Sequence, residues 1–147
     1  MGIALLSAQR SKDPNTKVGS VIVNNENRII ATGYNGFPNG IKDELLPWSK
    51  NSELYEETKY AYVVHAEANC LLNSIKSSLE GCTMYVTLFP CSSCTKLIIQ
   101  KGIKKIVYSK NCKNPESGDH KASVKMLELA DVKMLEYKGS ISTTLTL

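Results

Sequence analysis

The second half of the chain alternates short β-rich runs with helical runs, and this alternation constrains the fold more than any other feature. Strands are predicted at 82–88, 103–108 and 132–137, with helices at 91–101 and 121–130 between them. A strand, a helix and a second strand in this order pair in parallel through a right-handed crossover. The sequence therefore predicts a parallel sheet with helices packed on it.

The first half adds a hairpin flanked by helices. Helices are predicted at 1–10 and 65–75, and two β-rich runs at 18–24 and 28–34 enclose a short loop of turn-forming residues. Such a pair predicts an antiparallel hairpin. We expect one α/β domain over residues 1–147, with a mixed five-stranded sheet and helices on both faces.

Composition excludes several classes of protein. Apolar residues make up 42% of the chain and the net charge is +4, which favours a folded protein over a disordered one. The apolar runs are far shorter than the ~18 residues that a membrane-spanning helix needs. Aromatic residues make up only 7% of the chain, and there are only two arginines. We therefore do not expect the stacking aromatics and basic groove that bind single-stranded nucleic acid. We therefore expect the protein to act on a small-molecule substrate and not to bind a membrane.

The cysteines indicate the compartment. There are five, an odd number, and no apolar leader with a cleavage site precedes them. This pattern argues against a disulfide framework and favours a cytoplasmic location. Cysteines at fixed spacing in a reducing compartment are metal ligands or redox groups more often than disulfides.

Two short segments carry the candidate chemistry. His65-Ala66-Glu67 begins a predicted helix, and Pro90-Cys91-Ser92-Ser93-Cys94 lies between a predicted strand and the next helix. Cys91 and Cys94 share one helix face, and a helix N-terminus favours thiolates. Two thiolates and one imidazole form the three-ligand set of a catalytic zinc, which leaves a position for water. Glu67 would then serve as the base for that water.

Two other interpretations of these residues remain open. A Cys-x-x-Cys segment between a strand and a helix is also typical of a non-catalytic or redox dithiol protein. A structural zinc would need a fourth ligand, for which Cys70, Cys82 and His120 are available. Otherwise Cys70, Cys82 and Cys112 are interpreted as packing or incidental residues, and His120 as a solvated residue at a helix start.

Together the two segments form His-x-Glu…Pro-Cys-x-x-Cys, the signature of zinc-dependent nucleobase deaminases. The chain resembles this superfamily, and within it most closely the deoxycytidylate (dCMP) deaminases. The closer resemblance is carried by Ser-Ala-Gln-Arg-Ser-Lys-Asp-Pro-Asn at 7–15, Gly-Tyr-Asn-Gly at 33–36, Leu-Pro-Trp at 46–48, Phe-Pro-Cys at 89–91 and Lys-Leu-Ile-Ile-Gln at 96–100. A zinc deaminase of tRNA adenosine or polynucleotide cytidine is the alternative within the superfamily.

The resemblance implies a fold and a reaction. The fold is the three-layer α-β-α arrangement of the cytidine-deaminase type. The reaction is hydrolytic deamination of dCMP to dUMP and ammonia, which supplies dUMP for thymidylate synthesis. One zinc ion per chain is expected on His65, Cys91 and Cys94, with Glu67 carrying protons between water and the cytosine base.

The resemblance also implies contacts to the substrate. The backbone N–H of Ala66 should bind the base O2, the carbonyl of Phe89 the amine, and Asn35 the deoxyribose. The candidates for the 5′-phosphate are Asn15, Lys17 and Arg10.

Regulation and assembly are implied in the same way. Family members of this kind are typically homo-oligomers, often hexamers, activated by dCTP and inhibited by dTTP. The expected effector contacts are Gly33, Tyr34 and Gly36, because glycine lets a backbone approach a phosphate group closely.

Overall fold

A computed structural model describes residues 1–142. The helices are α1 (Gly2–Ala8), α2 (Ala66–Asn73), α3 (Ser92–Gln100) and α4 (Gly118–Leu129), and the strands are β1 (Gly19–Val23), β2 (Ile29–Tyr34), β3 (Thr83–Leu88), β4 (Lys105–Lys110) and β5 (Lys133–Glu136). Short 3₁₀ turns lie in the long connection between β2 and α2. In this part of the chain, no helix is both long enough and apolar enough to cross a membrane.

The five strands form one mixed sheet in the order β2-β1-β3-β4-β5. Strand β1 is antiparallel to both β2 and β3, whereas β3, β4 and β5 run parallel. The predicted mixed five-stranded α/β fold is confirmed. Because β3 and β4 are parallel, the loops that follow them meet at one edge of the sheet. The predicted cysteine segment directly follows β3 at that edge.

Two elements begin two or three residues away from the predicted start, whereas the others begin within one residue of it. Strand β4 begins at Lys105 rather than 103, because Gly102 closes α3 with a φ of 85° and Ile103 is still bonded to the helix through the Ile98 carbonyl. Helix α4 begins three residues earlier than predicted. The Ser117 side chain accepts a hydrogen bond from the His120 N–H at 3.2 Å and so caps the helix.

The core lies between the sheet and its helices. Its largest fully buried side chains include Ile22, Met84, Val86, Ile98, Ile106 and Leu127. Cys70 and Cys82 belong to the same cluster, which agrees with their interpretation as packing residues. Burial raises the pKa of the Cys70 thiol to about 11, so this thiol stays neutral.

Gly33 allows β2 to lie directly against α2. A Cβ atom at this position would overlap the carbonyl oxygen of Ala66 and the backbone nitrogen of Cys70. The missing side chain therefore serves the packing of strand on helix. This close contact fixes the first turn of α2, which carries the His65-Ala66-Glu67 segment.

Candidate active site

The ends of two helices bring three metal-binding side chains together. His65 is the residue before α2, Cys91 is the residue before α3, and Cys94 lies in the first turn of α3. The Nδ1 atom of His65 lies 3.4 Å from the Sγ of Cys91 and 3.5 Å from the Sγ of Cys94. The three possible ligand atoms all lie within 4.8 Å of one another.

This donor set fits a zinc ion. Zinc bonds to sulfur and nitrogen place neighbouring ligands of one tetrahedral ion about 3.5 Å apart, which matches the observed separations. Within residues 1–142 no fourth His, Cys, Asp or Glu joins the cluster. Three protein ligands are the pattern of a catalytic rather than a structural zinc. The interpretation of Cys70, Cys82 or His120 as a fourth ligand is therefore not supported.

The thiols are polarised before any ion binds. Hydrogen bonds with Cys94 and His65 lower the pKa of Cys91 against the effect of burial. The hydrogen bond with Cys91, together with burial, raises the pKa of Cys94. The hydrogen bond with Cys91 also raises the pKa of His65. Cys91 is thus the first of the two thiols to ionise.

Glu67 lies beside this cluster in the first turn of α2 and is 4% exposed. Burial raises the pKa of its carboxyl group to about 7. A carboxyl with a pKa near neutrality both accepts and releases protons efficiently.

A cavity of about 230 Å³ lies in front of these side chains. Its lining includes the predicted residues Asn35, His65, Ala66, Glu67, Phe89 and Cys91. Ala66 is the first residue of α2, and the first N–H groups of a helix have no partner within it. The structure thus brings the predicted proton carrier, two of the three predicted metal ligands and three of the predicted substrate contacts to one small, partly apolar pocket.

The Asn35 side chain is held in a single orientation. Its Oδ1 accepts a hydrogen bond from the Val18 N–H at 2.8 Å. Its Nδ2 donates to the Asp13 carboxylate at 3.3 Å and to the Thr16 carbonyl at 3.0 Å. Both amide hydrogens are therefore used, while Oδ1 keeps one lone pair. Asn35 can serve a ligand only as a hydrogen-bond acceptor.

A buried ion pair in the cavity wall was missed by sequence reasoning. Lys59 is paired with Asp13, and their side chains are 7% and 1% exposed. Burial acts to raise the pKa of Asp13, but the bonds from Lys59 and from the backbone N–H groups of Asn15 and Thr16 hold it below its ordinary value. Asp13 looks like a turn residue before a proline, and only the fold reveals its partner 46 residues away.

The predicted phosphate contacts lie elsewhere. Asn15 and Lys17 are exposed and do not line the cavity, and the Asn15 amide donates to the Trp48 carbonyl at 3.4 Å. The basic residues that line the cavity besides Lys59 are Lys50 and Lys113. Burial and the nearby charge of Lys113 lower the pKa of Lys50. The structure therefore offers two neighbouring lysines where the sequence indicated other residues.

A second cavity of about 650 Å³ borders the loop after β2. Tyr34 and Gly36 line it, together with Arg10 and Lys12, and the Arg10 guanidinium lies 5.6 Å from the centre of the Tyr34 ring. Gly33 does not line it, because this residue is packed against α2. Two of the three predicted effector residues therefore meet at one cavity.

The prediction of a solvated His120 is wrong. Its ring lies 4.7 Å from the Phe89 ring, and its Nδ1 is buried without a hydrogen-bond partner among the described residues. Because α4 begins at Gly118, His120 lies within the first turn and faces the sheet edge.

Comparison with known proteins decides the family. Residues 1–110 match the family described as the cytidine and deoxycytidylate deaminase zinc-binding region, and this match includes all three metal-binding side chains and Glu67. The chain belongs to this deaminase family. Membership confirms the family, fold and enzyme class predicted from the sequence, and it supports zinc as the metal.

Individual members of the deaminase family are similar over nearly the whole chain. The deoxycytidylate deaminase of Homo sapiens is 47% identical over 137 residues, which cover 93% of this chain and 76% of the human one. A probable deoxycytidylate deaminase of Drosophila melanogaster is 49% identical over 146 residues, which cover 96% of this chain and 70% of the Drosophila one. The crystal structure of the dCMP deaminase of cyanophage S-TIM5 with dCMP and dUMP has a TM-score of 0.72 at 29% identity, and 92% of each chain is covered.

Proposed function

We propose that this chain catalyses the hydrolysis of dCMP to dUMP and ammonia. The observation that carries the proposal is the buried Glu67 carboxyl beside the His65, Cys91 and Cys94 cluster, in one cavity of about 230 Å³. Relatives described as deoxycytidylate deaminases, and the phage enzyme with dCMP and dUMP, support this substrate.

One zinc ion per chain is held by His65, Cys91 and Cys94 in this proposal. When bound, zinc supplies Lewis acidity and lowers the pKa of water toward about 7. The chain's own contribution is to keep the three donors clustered and the surroundings partly apolar.

Glu67 moves the protons. Its carboxylate takes a proton from the attacking water and delivers it to N3 of the cytosine as oxygen adds to C4. The carboxylate then takes the proton of the new C4 hydroxyl and delivers it to the exocyclic amine. The C4–N bond breaks, the C4 carbonyl of dUMP forms, and ammonia leaves. One water is consumed for each ammonia released. The pKa of about 7, raised by burial, suits a group that both takes and gives a proton.

Backbone and amide groups orient the substrate. The free N–H of Ala66 at the start of α2 binds the base O2, and the carbonyl of Phe89 binds the amine. Asn35 accepts a hydrogen bond from a deoxyribose hydroxyl through Oδ1, since both of its amide hydrogens are used by the protein.

Lys50 and Lys113 bind the 5′-phosphate in this proposal, in place of Asn15 and Lys17. Burial, and after it the nearby charge of Lys113, lower the pKa of Lys50, and a phosphate between the two lysines would stabilise both ammonium groups. A monophosphate is thereby preferred over the free nucleoside.

Regulation and assembly extend the proposal. dCTP as activator and dTTP as inhibitor would bind at the second cavity, where Tyr34, Gly36, Arg10 and Lys12 meet. We also propose a homo-oligomer, a hexamer by resemblance, built from one domain over residues 1–147 and located in the cytoplasm.

The substrate assignment is tested by ultraviolet deamination assays with dCMP, deoxycytidine, dCTP and CMP. We expect the highest kcat/KM for dCMP. In Lys50→Ala and Lys113→Ala the KM for dCMP should rise while deoxycytidine turnover stays unchanged. Lys101→Ala, a lysine outside the cavity lining, is the matched control. Equal turnover of dCMP and deoxycytidine by the unaltered protein would contradict the phosphate assignment.

A further inference from the structure

Helix α4 is bonded to the cysteine turn, residues 90–95, through two polar side chains on one of its faces. Asp119 and Ser123 are four residues apart, so they lie one above the other on α4. Neither residue lines the cavity of about 230 Å³. The proposed reaction gives neither of them a role.

Asp119 binds the first residue of α3. Both of its carboxylate oxygens lie 3.3 Å from the Ser92 backbone nitrogen, and one accepts a hydrogen bond from the Ser92 hydroxyl at 2.5 Å. The Ser92 N–H is one of the groups at a helix start that lack a partner within the helix. A carboxylate from a neighbouring helix therefore caps the turn immediately after Cys91.

Ser123 joins the two ends of the same turn. Its hydroxyl donates to the Pro90 carbonyl at 2.9 Å, and it lies 2.6 Å from the Thr95 hydroxyl. Because its single hydrogen is used by Pro90, Thr95 must be the donor in the second bond. Ser123 and Thr95 are fully buried at 0% exposure, so no water competes for these bonds.

We propose that Asp119 and Ser123 are positioning residues that hold the Cys91 and Cys94 thiols at zinc-binding spacing. Pro90 and Thr95 flank the two cysteines, and Ser92 lies between them, so the three anchoring points leave the turn little freedom. The inference rests on the proposed zinc site, and it concerns the affinity for the ion rather than the chemistry of deamination.

The alternative is that these bonds only attach α4 to the fold. In that case their loss would lower thermal stability but leave a folded site with the same affinity. If the bonds instead hold the Cys91 and Cys94 thiols in place, their loss would weaken zinc binding in protein that is still folded. Groups that orient metal ligands typically change metal affinity about 10–100-fold when they are removed.

The experiment measures transfer of zinc from the holoprotein to a chromophoric chelator of known affinity. Asp119→Ala and Ser123→Ala are each expected to lose zinc about 10-fold more readily than the unaltered protein. Asp119→Asn keeps one acceptor oxygen for Ser92, so its zinc affinity should lie between that of Asp119→Ala and that of the unaltered protein. Lys125→Ala, an exposed position on the same helix, is the matched control and should be unchanged.

Replacing zinc with cobalt gives a second measurement, the absorption spectrum of the bound cobalt. This spectrum would not change if Asp119 and Ser123 only attached α4 to the fold. The thiolate-to-cobalt absorption should weaken or shift in Asp119→Ala and Ser123→Ala but not in Lys125→Ala. Unchanged zinc affinity and an unchanged cobalt spectrum in folded variants would overturn the inference. If Ser123→Ala does not fold, the Asp119→Asn comparison decides alone. Absence of zinc binding in the unaltered protein would instead contradict the proposed function.

Discussion

Glu67 shows how one residue acquires a role from its surroundings. The side chain is 4% exposed, and burial raises its pKa to about 7. An exposed glutamate at a helix start would only interact with the helix dipole. Glu67 lines a cavity beside three metal-binding side chains, and in the proposed reaction the same carboxyl group carries protons.

Replacing Glu67 with Gln should separate metal binding from proton transfer. The amide keeps the size of the side chain but has no basic oxygen, so zinc content should stay unchanged. Turnover of dCMP should fall by at least about 100-fold, since general acid–base catalysis is worth that much or more. Metal analysis and a deamination assay on one preparation measure both effects. Near-normal turnover would show that another group carries the proton.

The Asp13–Lys59 pair holds the opposite wall of the cavity. Asp13 also accepts hydrogen bonds from the Asn35 amide and from the backbone of Asn15 and Thr16, so its charge is well satisfied. Removing one partner of a buried pair costs about 3–5 kcal/mol, because the other charge remains buried alone. The bond between the Asn35 amide and the Asp13 carboxylate, one of the three that orient Asn35, would be weakened at the same time.

Asp13→Asn should therefore destabilise the protein in a pH-dependent way. The pKa of Asp13 is lower in the folded protein than in the unfolded chain, where it is about 3.9. Its stabilising effect is thus fully present above that pH and is lost as the pH falls through the lower, folded value. The difference in unfolding free energy between the two proteins should shrink in acid.

Urea unfolding of both proteins across that pH range makes the measurement. Asp43→Asn is the control, because its pair with Lys12 lies at the surface and should contribute little to stability. A difference between the unaltered protein and Asp13→Asn that stays constant with pH would contradict the account.

Sequence reasoning could find the metal donors but not these wall residues. His65, Glu67, Cys91 and Cys94 form a local pattern whose spacing already specifies a chemistry. Asp13 and Lys59 acquire their roles only from a contact between distant parts of the chain. The phosphate candidates Asn15 and Lys17 are not among the residues that line the cavity.

At the scale of elements, the packing of β2 against α2 fixes the catalytic segment. The absent side chain of Gly33 allows the strand to approach the backbone of α2 at Ala66 and Cys70. His65 precedes that helix and Glu67 lies in its first turn. A displacement of α2 would therefore move a metal ligand and the proton carrier together.

Gly33→Ala should lower both stability and zinc affinity. The added methyl group would overlap backbone atoms, which cannot rotate away, and overpacking of this kind costs about 1–3 kcal/mol or more. Gly36→Ala is the matched control, because no atom lies within 4 Å of a Cβ built there. Thermal unfolding and zinc content of both variants test this. Equal stability of the two variants would mean that the contact is not tight in solution.

The type and order of the elements could be predicted from the sequence, whereas some of their ends could not. Periodicity and Gly102 marked α3 correctly. The start of α4 depends on the Ser117 cap, and the start of β4 depends on pairing with β3. The Ser117 cap is a local signal that the prediction of a start at 121 did not use, whereas the pairing of β4 with β3 joins parts of the chain that are distant in sequence. The misplaced start of α4 is also why His120 looked solvated.

At the scale of the whole molecule, the sheet order places both motifs at one edge and leaves a second cavity beside the loop after β2. Asn35 lines both cavities, so this residue lies between the proposed catalytic and effector sites. The segment from Gly33 to Phe37, which runs from the end of β2 into the following loop, could therefore transmit occupancy of one site to the other. Coupling between sites of this kind is typically about 1–3 kcal/mol, or about 5–150-fold in affinity.

Saturation curves for dCMP with and without effectors test this coupling. We expect a sigmoidal curve that dCTP makes hyperbolic and dTTP suppresses. Arg10→Ala should weaken the response to both triphosphates, because Arg10 lines only the second cavity. Identical hyperbolic curves under all conditions would contradict the regulatory proposal and leave the catalytic one intact.

The central claim is that one zinc ion on His65, Cys91 and Cys94 enables the chain to deaminate dCMP, and zinc titration tests it most directly. Protein stripped of metal by a chelator is given increasing zinc, and dCMP turnover is followed by ultraviolet absorbance. We expect no turnover in the stripped protein and a linear rise that ends at one zinc per chain. We also expect that Cys91→Ala shows no rise. Full turnover of dCMP by metal-free protein would contradict the account.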